Sequence, residues 1–286
     1  NDDYVGCDVM RGLGYCYNGD NQDDAQGGAL GYGENPPAVG IDFFEGPYQD
    51  NDDKDNAVGI NYNEALNGIG YGDSIVDNER FGMRRFVFFN RSDLAAPCCG
   101  DPSTGIQYYN YLRGIWLDGT KLCYGGNGHS TGNCVEADFM FPGDTDPLAW
   151  GTKGIAQEPW TEVSAGNTPS DRRFVQSAGP FTLTPGAVND ITVGVVWARA
   201  SNGGNTASVD ALIQADTKTQ AMFDNCFRTL DGPTAPKLEI QELENRQFPE
   251  HRSESAKKRC SKQVFRHRRS RGKEEPPPVK RKAKLR

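Results

Sequence analysis

Two acidic stretches carry the densest chemistry in this sequence. Asp50-Asn51-Asp52-Asp53-Lys54-Asp55 groups hard oxygen donors, and Asp73-Ser74-Ile75-Val76-Asp77-Asn78-Glu79 spaces three carboxylates so that one tight loop can bring them together. Calcium takes roughly six to eight oxygen ligands and tolerates irregular loops, whereas magnesium demands stricter geometry. The candidate calcium ligands are therefore Asp50, Asp52, Asp53, Asp55, Asp73, Asp77 and Glu79. Neither stretch has the alternating ligands, turn glycine and distal glutamate of an EF-hand, so a solvated acidic loop is the competing interpretation. Asp20, Asp23 and Asp24 form a third cluster, which reads as solvated.

The catalytic inventory is thin. Residues 1–246 contain a single histidine, His129, within a glycine-rich loop. Any Ser-His-Asp or Cys-His hydrolysis would have to be built around it. No Gly-x-Ser-x-Gly elbow surrounds a serine, and no His-Glu-x-x-His motif is present. A carboxylate pair for glycoside hydrolysis has no positive support in the spacing. The Gly-x-Gly runs at 31–33 and 68–72 lack a phosphate-loop setting and read as turns. Trp116, Trp150, Trp160, Tyr108, Tyr109 and Tyr111 are available for a carbohydrate platform, although core filling is the more ordinary use of each. Asn90-Arg91-Ser92 fits a glycosylation sequon, which matters only in a eukaryote.

Eight cysteines occur without a Cys-x-x-Cys pair, so zinc-ribbon spacing is absent. Cys123 and Cys134 bracket a turn-forming segment that a disulfide could close, and Cys7 and Cys16 could pair across a short hairpin; small buried thiols are the alternative in both places. Cys98 and Cys99 are adjacent and are not expected to bond each other. An oxidising, extracytoplasmic location is permitted by this pattern without being required.

The elements that must position these groups are mostly strands. Ile191, Val193, Val195 and Trp197 share one face at period two. With Gly179-Pro180-Phe181-Thr182-Leu183 and the Pro185-Gly186 turn before it, this segment reads as a hairpin or meander. Arg85–Phe89 is apolar on both faces, as in an inner strand. Residues 111–117 and 120–124 flank Asp118-Gly119 and predict a second hairpin. One helix is predicted from near Ser208, with Val209, Leu212, Ile213, Phe223 and Phe227 on one face, although Asp216 and Gln220 fall on that face too. It is expected to cover a sheet edge or face. Residues 231–236 break regular structure.

The chain has 286 residues and a formal charge of −8, with 34 glycines and no apolar run approaching the roughly 18 residues that span a bilayer. A coiled coil, a membrane-spanning chain and a wholly disordered chain are excluded. The charge divides sharply: residues 1–246 hold 16 basic and 35 acidic side chains, net −19, and residues 247–286 hold 15 and 4, net +11. That tail has too few apolar residues to fold alone. A nucleic-acid arm, a solvated extension and an out-of-frame stretch compete for it; the abrupt compositional change near Gln247 favours the last, and no nucleic-acid partner is expected. The start at Asn1, without a basic and apolar leader, reads as a fragment.

Several segments resemble large secreted proteins of Bacteroidota. They are Gly6-Cys7-Asp8 with Gly14-Tyr15-Cys16-Tyr17-Asn18-Gly19-Asp20, and Pro36-Pro37-Ala38-Val39-Gly40-Ile41-Asp42-Phe43-Phe44-Glu45-Gly46-Pro47. Tyr109–Gly114, Phe141–Asp144, Ser170–Phe174 and Ser177–Leu183 continue the likeness through Val195–Arg199. It covers most of residues 1 to 243. The resemblance implies a multidomain surface protein with immunoglobulin-like or fibronectin-like modules, exported by type IX secretion, and it carries over no catalytic residue.

These observations lead to a mainly β chain: a β-sandwich-like domain with long acidic glycine-rich loops and one C-terminal helix at residues 1–232, a linker or the start of a next module at 233–246, and a disordered basic tail at 247–286. The expected function is a structural or binding module of an extracellular, cell-surface bacterial protein, stabilised by Ca2+, with a glycan or protein ligand. For the full-length protein the expected partner is the type IX secretion machinery, with the module peripheral to the outer membrane at most. The alternative is a secreted hydrolase acting on polysaccharide or protein.

Overall fold

The computed structural model describes residues 2–25, 27–59, 68–90 and 98–228. The expected linker at 233–246 and the basic tail lie outside them. The chain divides into two compact units, residues 1–220 and 221–286.

The elements run β1 (Asp3–Asp8), β2 (Leu13–Asn18), β3 (Gln22–Asp23), β4 (Gly33–Glu34), β5 (Ala38–Glu45), β6 (Arg85–Asn90), α1 (Gly105–Leu112), a 3-10 turn (Trp150–Thr152), β7 (Arg172–Ser177), β8 (Thr192–Ala198) and α2 (Gly204–Asp224). The fold is mainly β, with two α-helices among the described residues. One antiparallel sheet has the order β1-β2-β5-β8; β6 pairs with β7, and the short β3 with β4. Asp8 closes the β1–β2 turn: its carboxylate accepts the Arg11 N–H at 3.1 Å and the Arg11 guanidinium at 2.6 Å.

The four-stranded sheet has two unlike faces because strand side chains alternate. Tyr4, Tyr17, Ala38 and Val196 pack against Leu212 of α2. On the opposite face Val5 and Cys7 join the large core with Phe86, Phe88, Tyr111, Trp116, Phe139, Phe141, Trp150 and Trp160. That core covers the β1–β2 end. At the β5–β8 end the shared face of Val193, Val195 and Trp197, paired across to Phe43, Ile41 and Val39, stays largely open, and Val195 is 71% exposed. The period-two alternation is real, but α2 covers the side carrying Val196.

Four local expectations change. Residues 105–112 form a helix, with Thr104 and Gln107 making a reciprocal capping box; this Thr-x-x-Gln start signal outcompetes the apolar alternation at 111–117. The Asp118-Gly119 turn persists, with Ile115 bridged to Lys121. Residues 179–183 form no strand. The Thr182 N–H and hydroxyl instead bind the Asp50 carboxylate at 2.6 and 2.7 Å, and β8 pairs with β5. Cys98 and Cys99 do form a disulfide. Cys7 and Cys16 do not: in register Cys7 faces Gly14 and Cys16 faces Val5, and the Cys7 thiol donates to the Met140 carbonyl at 3.3 Å. Burial raises both thiols, Cys16 to about 12. The expected Cys123–Cys134 disulfide is present.

Candidate functional site

Six of the seven acidic candidates accept backbone amides, Asp52 taking the Lys54 N–H at 3.2 Å, while Asp53 contributes its own N–H. Asp77 Oδ1 accepts the N–H groups of Asp52 and Asp53 at 2.9 and 3.1 Å. Asp55 takes those of Gly72 and Ser74, each at 2.7 Å. Glu79 takes the Asn56 N–H at 2.5 Å, Asp73 binds the Ile75 N–H and the Asn78 amide, and Asp50 holds Thr182. Short carboxylate side chains satisfy turn amides in this way. The result knits residues 50–56 to residues 72–79. Among the described residues no group of three or more His, Cys, Asp or Glu is arranged to hold a metal ion. In the third acidic cluster Asp20 binds the Gln22 N–H and Asp23 the Tyr32 N–H.

His129 Nε2 lies 2.8 Å from Asp118 Oδ2, and its ring stands edge-on to Trp116. Burial raises the Asp118 carboxyl, but hydrogen bonds from Thr120 and His129 outweigh it and hold the group below its ordinary range. Trp116, Trp150, Trp160 and Tyr111 are core residues, while Tyr108 and Tyr109 are exposed. Asn90 accepts from Arg172 Nη1; the rest of its sequon lies outside the described residues.

A second site was not anticipated. Arg84 and Arg85 enter β6, Arg113 caps the end of α1, and Lys121 and Lys153 come from loops, yet all five line one cavity of about 390 Å3. Glu136 and Asp138 are the carboxylates on that wall. The 136–140 segment runs beside β6, where Phe86 N–H donates to the Asp138 carbonyl at 3.1 Å and Met140 N–H to the Phe86 carbonyl at 3.0 Å. Each carboxylate bridges two cations. Glu136 accepts Lys121 and, at 2.5 Å, Lys153, and their hydrogen bonds hold its carboxyl below the ordinary range. Asp138 Oδ2 lies 3.2 Å from Arg85 Nη1 and 3.9 Å from Arg84 Nη1. Burial pushes the Asp138 carboxyl up, against the pull of these arginines.

Arg85 lies close over the backbone of Gly114. A Cβ there would stand 3.0 Å from Arg85 Cδ, and the φ of +68° already favours glycine. A neighbouring cavity of about 250 Å3 shares Arg84, Arg85 and Arg113 and adds Tyr109, Leu112, Pro180 and Phe181. Ser177 Oγ donates to the Leu112 carbonyl at 2.7 Å, fastening β7 to the end of α1 beneath this wall. The adjacent Arg84-Arg85 in an acidic chain was the available sequence signal; the other three cations are too dispersed to be grouped by spacing.

Compared with known proteins, the chain matches no family model, no curated protein and no solved structure.

Proposed function

We propose that this chain is a ligand-binding module of an extracellular, cell-surface bacterial protein, exported by type IX secretion as its likeness to Bacteroidota proteins implies. The cationic cavity carries the binding part of this reading: a cluster of cations on a scaffold with net charge −19 over residues 1–246 is a local feature with an anionic counterpart. Among the described residues the disulfides Cys98–Cys99 and Cys123–Cys134 suit an oxidising compartment. The β1-β2-β5-β8 sheet and the β6–β7 pair form opposing walls of a sandwich-like scaffold, from which loops present the site. Calcium serves as a stabiliser of the acidic loops, reducing repulsion among Asp50, Asp52, Asp53, Asp55, Asp73, Asp77 and Glu79, where Lys54 supplies one ion pair, to Asp52 at 3.7 Å.

Protease added to intact producing cells tests the location. Digestion of the chain without cell lysis is expected, and protection until lysis would refute it.

A further inference from the structure

We propose that the cavity between β6, the end of α1 and residues 177–181 binds a carboxylated saccharide. Its carboxylate is held by Arg113, with Arg85 adding positive potential beside it, and its apolar ring face lies along the wall of Tyr109 and Phe181. The proposal deepens the reading of a ligand-binding module and rests on it for where the ligand is met.

Charge sets the first constraint. The wall of the adjoining 390 Å3 cavity carries five cations and two carboxylates, and three of those cations, Arg84, Arg85 and Arg113, also line this one. With Arg84 left aside, Arg85, Arg113, Lys121 and Lys153 still outnumber Glu136 and Asp138 by two. Arg113 is exposed, its guanidinium lies over the Tyr109 ring at 5.2 Å, and no carboxylate pairs with it among the described residues. A guanidinium so placed keeps its planar fork of donors available, which matches a carboxylate bidentately.

The acidic remainder of the chain sets the second. A densely charged polyanion longer than the cavity would meet the carboxylates beyond it, because residues 1–246 carry net −19. The surplus suits a ligand with one or two negative charges on an otherwise neutral body. The adjoining wall of Tyr109, Leu112, Pro180 and Phe181 supplies the apolar complement. Ligand sites of this kind combine apolar area with a few placed polar groups. A sugar acid meets both requirements, presenting C–H groups on a ring face and a carboxylate at its edge.

The wall is held in place before any ligand arrives. The Cys123–Cys134 disulfide closes the loop leading to Glu136, and Cys123 bridges to Glu136 across that turn. Glu136 then fixes Lys121 and Lys153, and Asp138 fixes Arg85. Arg113 is left without a carboxylate partner among the described residues, so binding costs little reorganisation.

Calorimetric titration of the full chain with digalacturonate, beside neutral maltose, tests this. Arg113→Met is the main variant because its side chain is exposed and its loss leaves the core intact, and Lys153→Met is the second. Digalacturonate is expected to bind and maltose not to bind. Arg113→Met should weaken binding about tenfold, the usual scale for a hydrogen bond to a charged group, and Lys153→Met should weaken it less, both at unchanged melting temperature. Any uronate captured by the basic tail would be equal in wild type and variants, so the difference reports the cavity. Absence of uronate binding, equal binding of maltose, or an Arg113→Met titration identical to wild type would overturn the site. A polyphosphate that binds as tightly and is weakened as much by Arg113→Met would overturn the saccharide assignment. None of these results alters the protease-accessibility result, so failure of this site and failure of the extracellular reading are distinguishable.

Discussion

Asp42→Asn should remove a pH-dependent weakness at the junction of β5 and α2. Asp42 and Asp216 are 1% and 2% exposed, and each has an Oδ1 sealed from water without a hydrogen-bond partner. Burial, followed by repulsion from Asp216 and a shared hydrogen bond, pushes the Asp42 carboxyl up to about 8. Burial also raises Asp216, while Arg11 pulls it down. The other charged groups facing the pair are Asp8 and Arg11, bonded to each other in the β1–β2 turn. An acid whose folded pKa lies above its unfolded value binds a proton more tightly when folded. The stability it contributes is therefore fully present below about pH 4 and is lost as the pH rises towards 8. An asparagine at 42 donates to the Asp216 carboxylate without needing a proton. It replaces a repulsive buried contact with a charge-assisted hydrogen bond, so the variant should be more stable than wild type at pH 8 by about 1–3 kcal/mol. At pH 4.5 the gap should shrink or reverse. Urea unfolding at both pH values provides the assay, and the wild-type-minus-variant difference cancels the titration of surface carboxylates. A difference that does not change between pH 4.5 and 8, or a variant less stable than wild type at pH 8, would refute the shared-proton argument.

Three further outcomes follow from the same geometry. Glu162→Gln should lower unfolding stability by about 3 kcal/mol, because Glu162 is fully buried, accepts the Val5 N–H at 2.9 Å and pairs with Arg172 at 2.8 Å; a urea midpoint equal to wild type would contradict this. Cys134→Ser opens a loop of sequence separation 11 and should lower stability by about 3 kcal/mol, with weaker digalacturonate binding in the same calorimeter because Glu136 loses its anchor. Excess calcium should raise the melting temperature by about 2–4 °C over chelator if the acidic loops bind it, and identical melting curves would remove calcium from the proposed function.

The parts of this fold written in local pattern were legible. β6 shows a continuous apolar run and is buried along nearly its whole length, and α2 shows a helical stripe whose Leu212 is fully buried. The intrusion of Asp216 into that stripe marked a real feature, since Asp216 faces Asp42 of the sheet. What escaped depends on partners distant in sequence. Whether the alternation in β8 buries Val195 or Val196 is decided by where α2 lands, more than the length of a strand away in the chain. The Thr104–Gln107 capping box was legible in principle, but the aromatic alternation after it obscured it. The cavity was illegible for the same reason as the β8 face, because residues 84 to 153 converge through the β6–α1–β7 packing and not through any motif.

The charge pattern acquires a different meaning once its acidic and basic members are followed to their contacts. The acidic residues at 50–79, a candidate ligand set in sequence, also turn their short side chains back onto neighbouring amides and tie the loops together. The scattered basic residues look like ordinary surface charges, yet their longer side chains reach a common cavity and two carboxylates cannot neutralise them. Side-chain reach explains the reversal: an aspartate in a loop finds its own backbone first, whereas an arginine or lysine spans the distance between elements. In a chain with 35 acidic and 16 basic groups over residues 1–246, positive potential survives only where the fold concentrates it. The proposed binding site therefore rests on the minority charge, and substitutions at Arg113 should alter ligand recognition far more than substitutions at the more numerous loop aspartates.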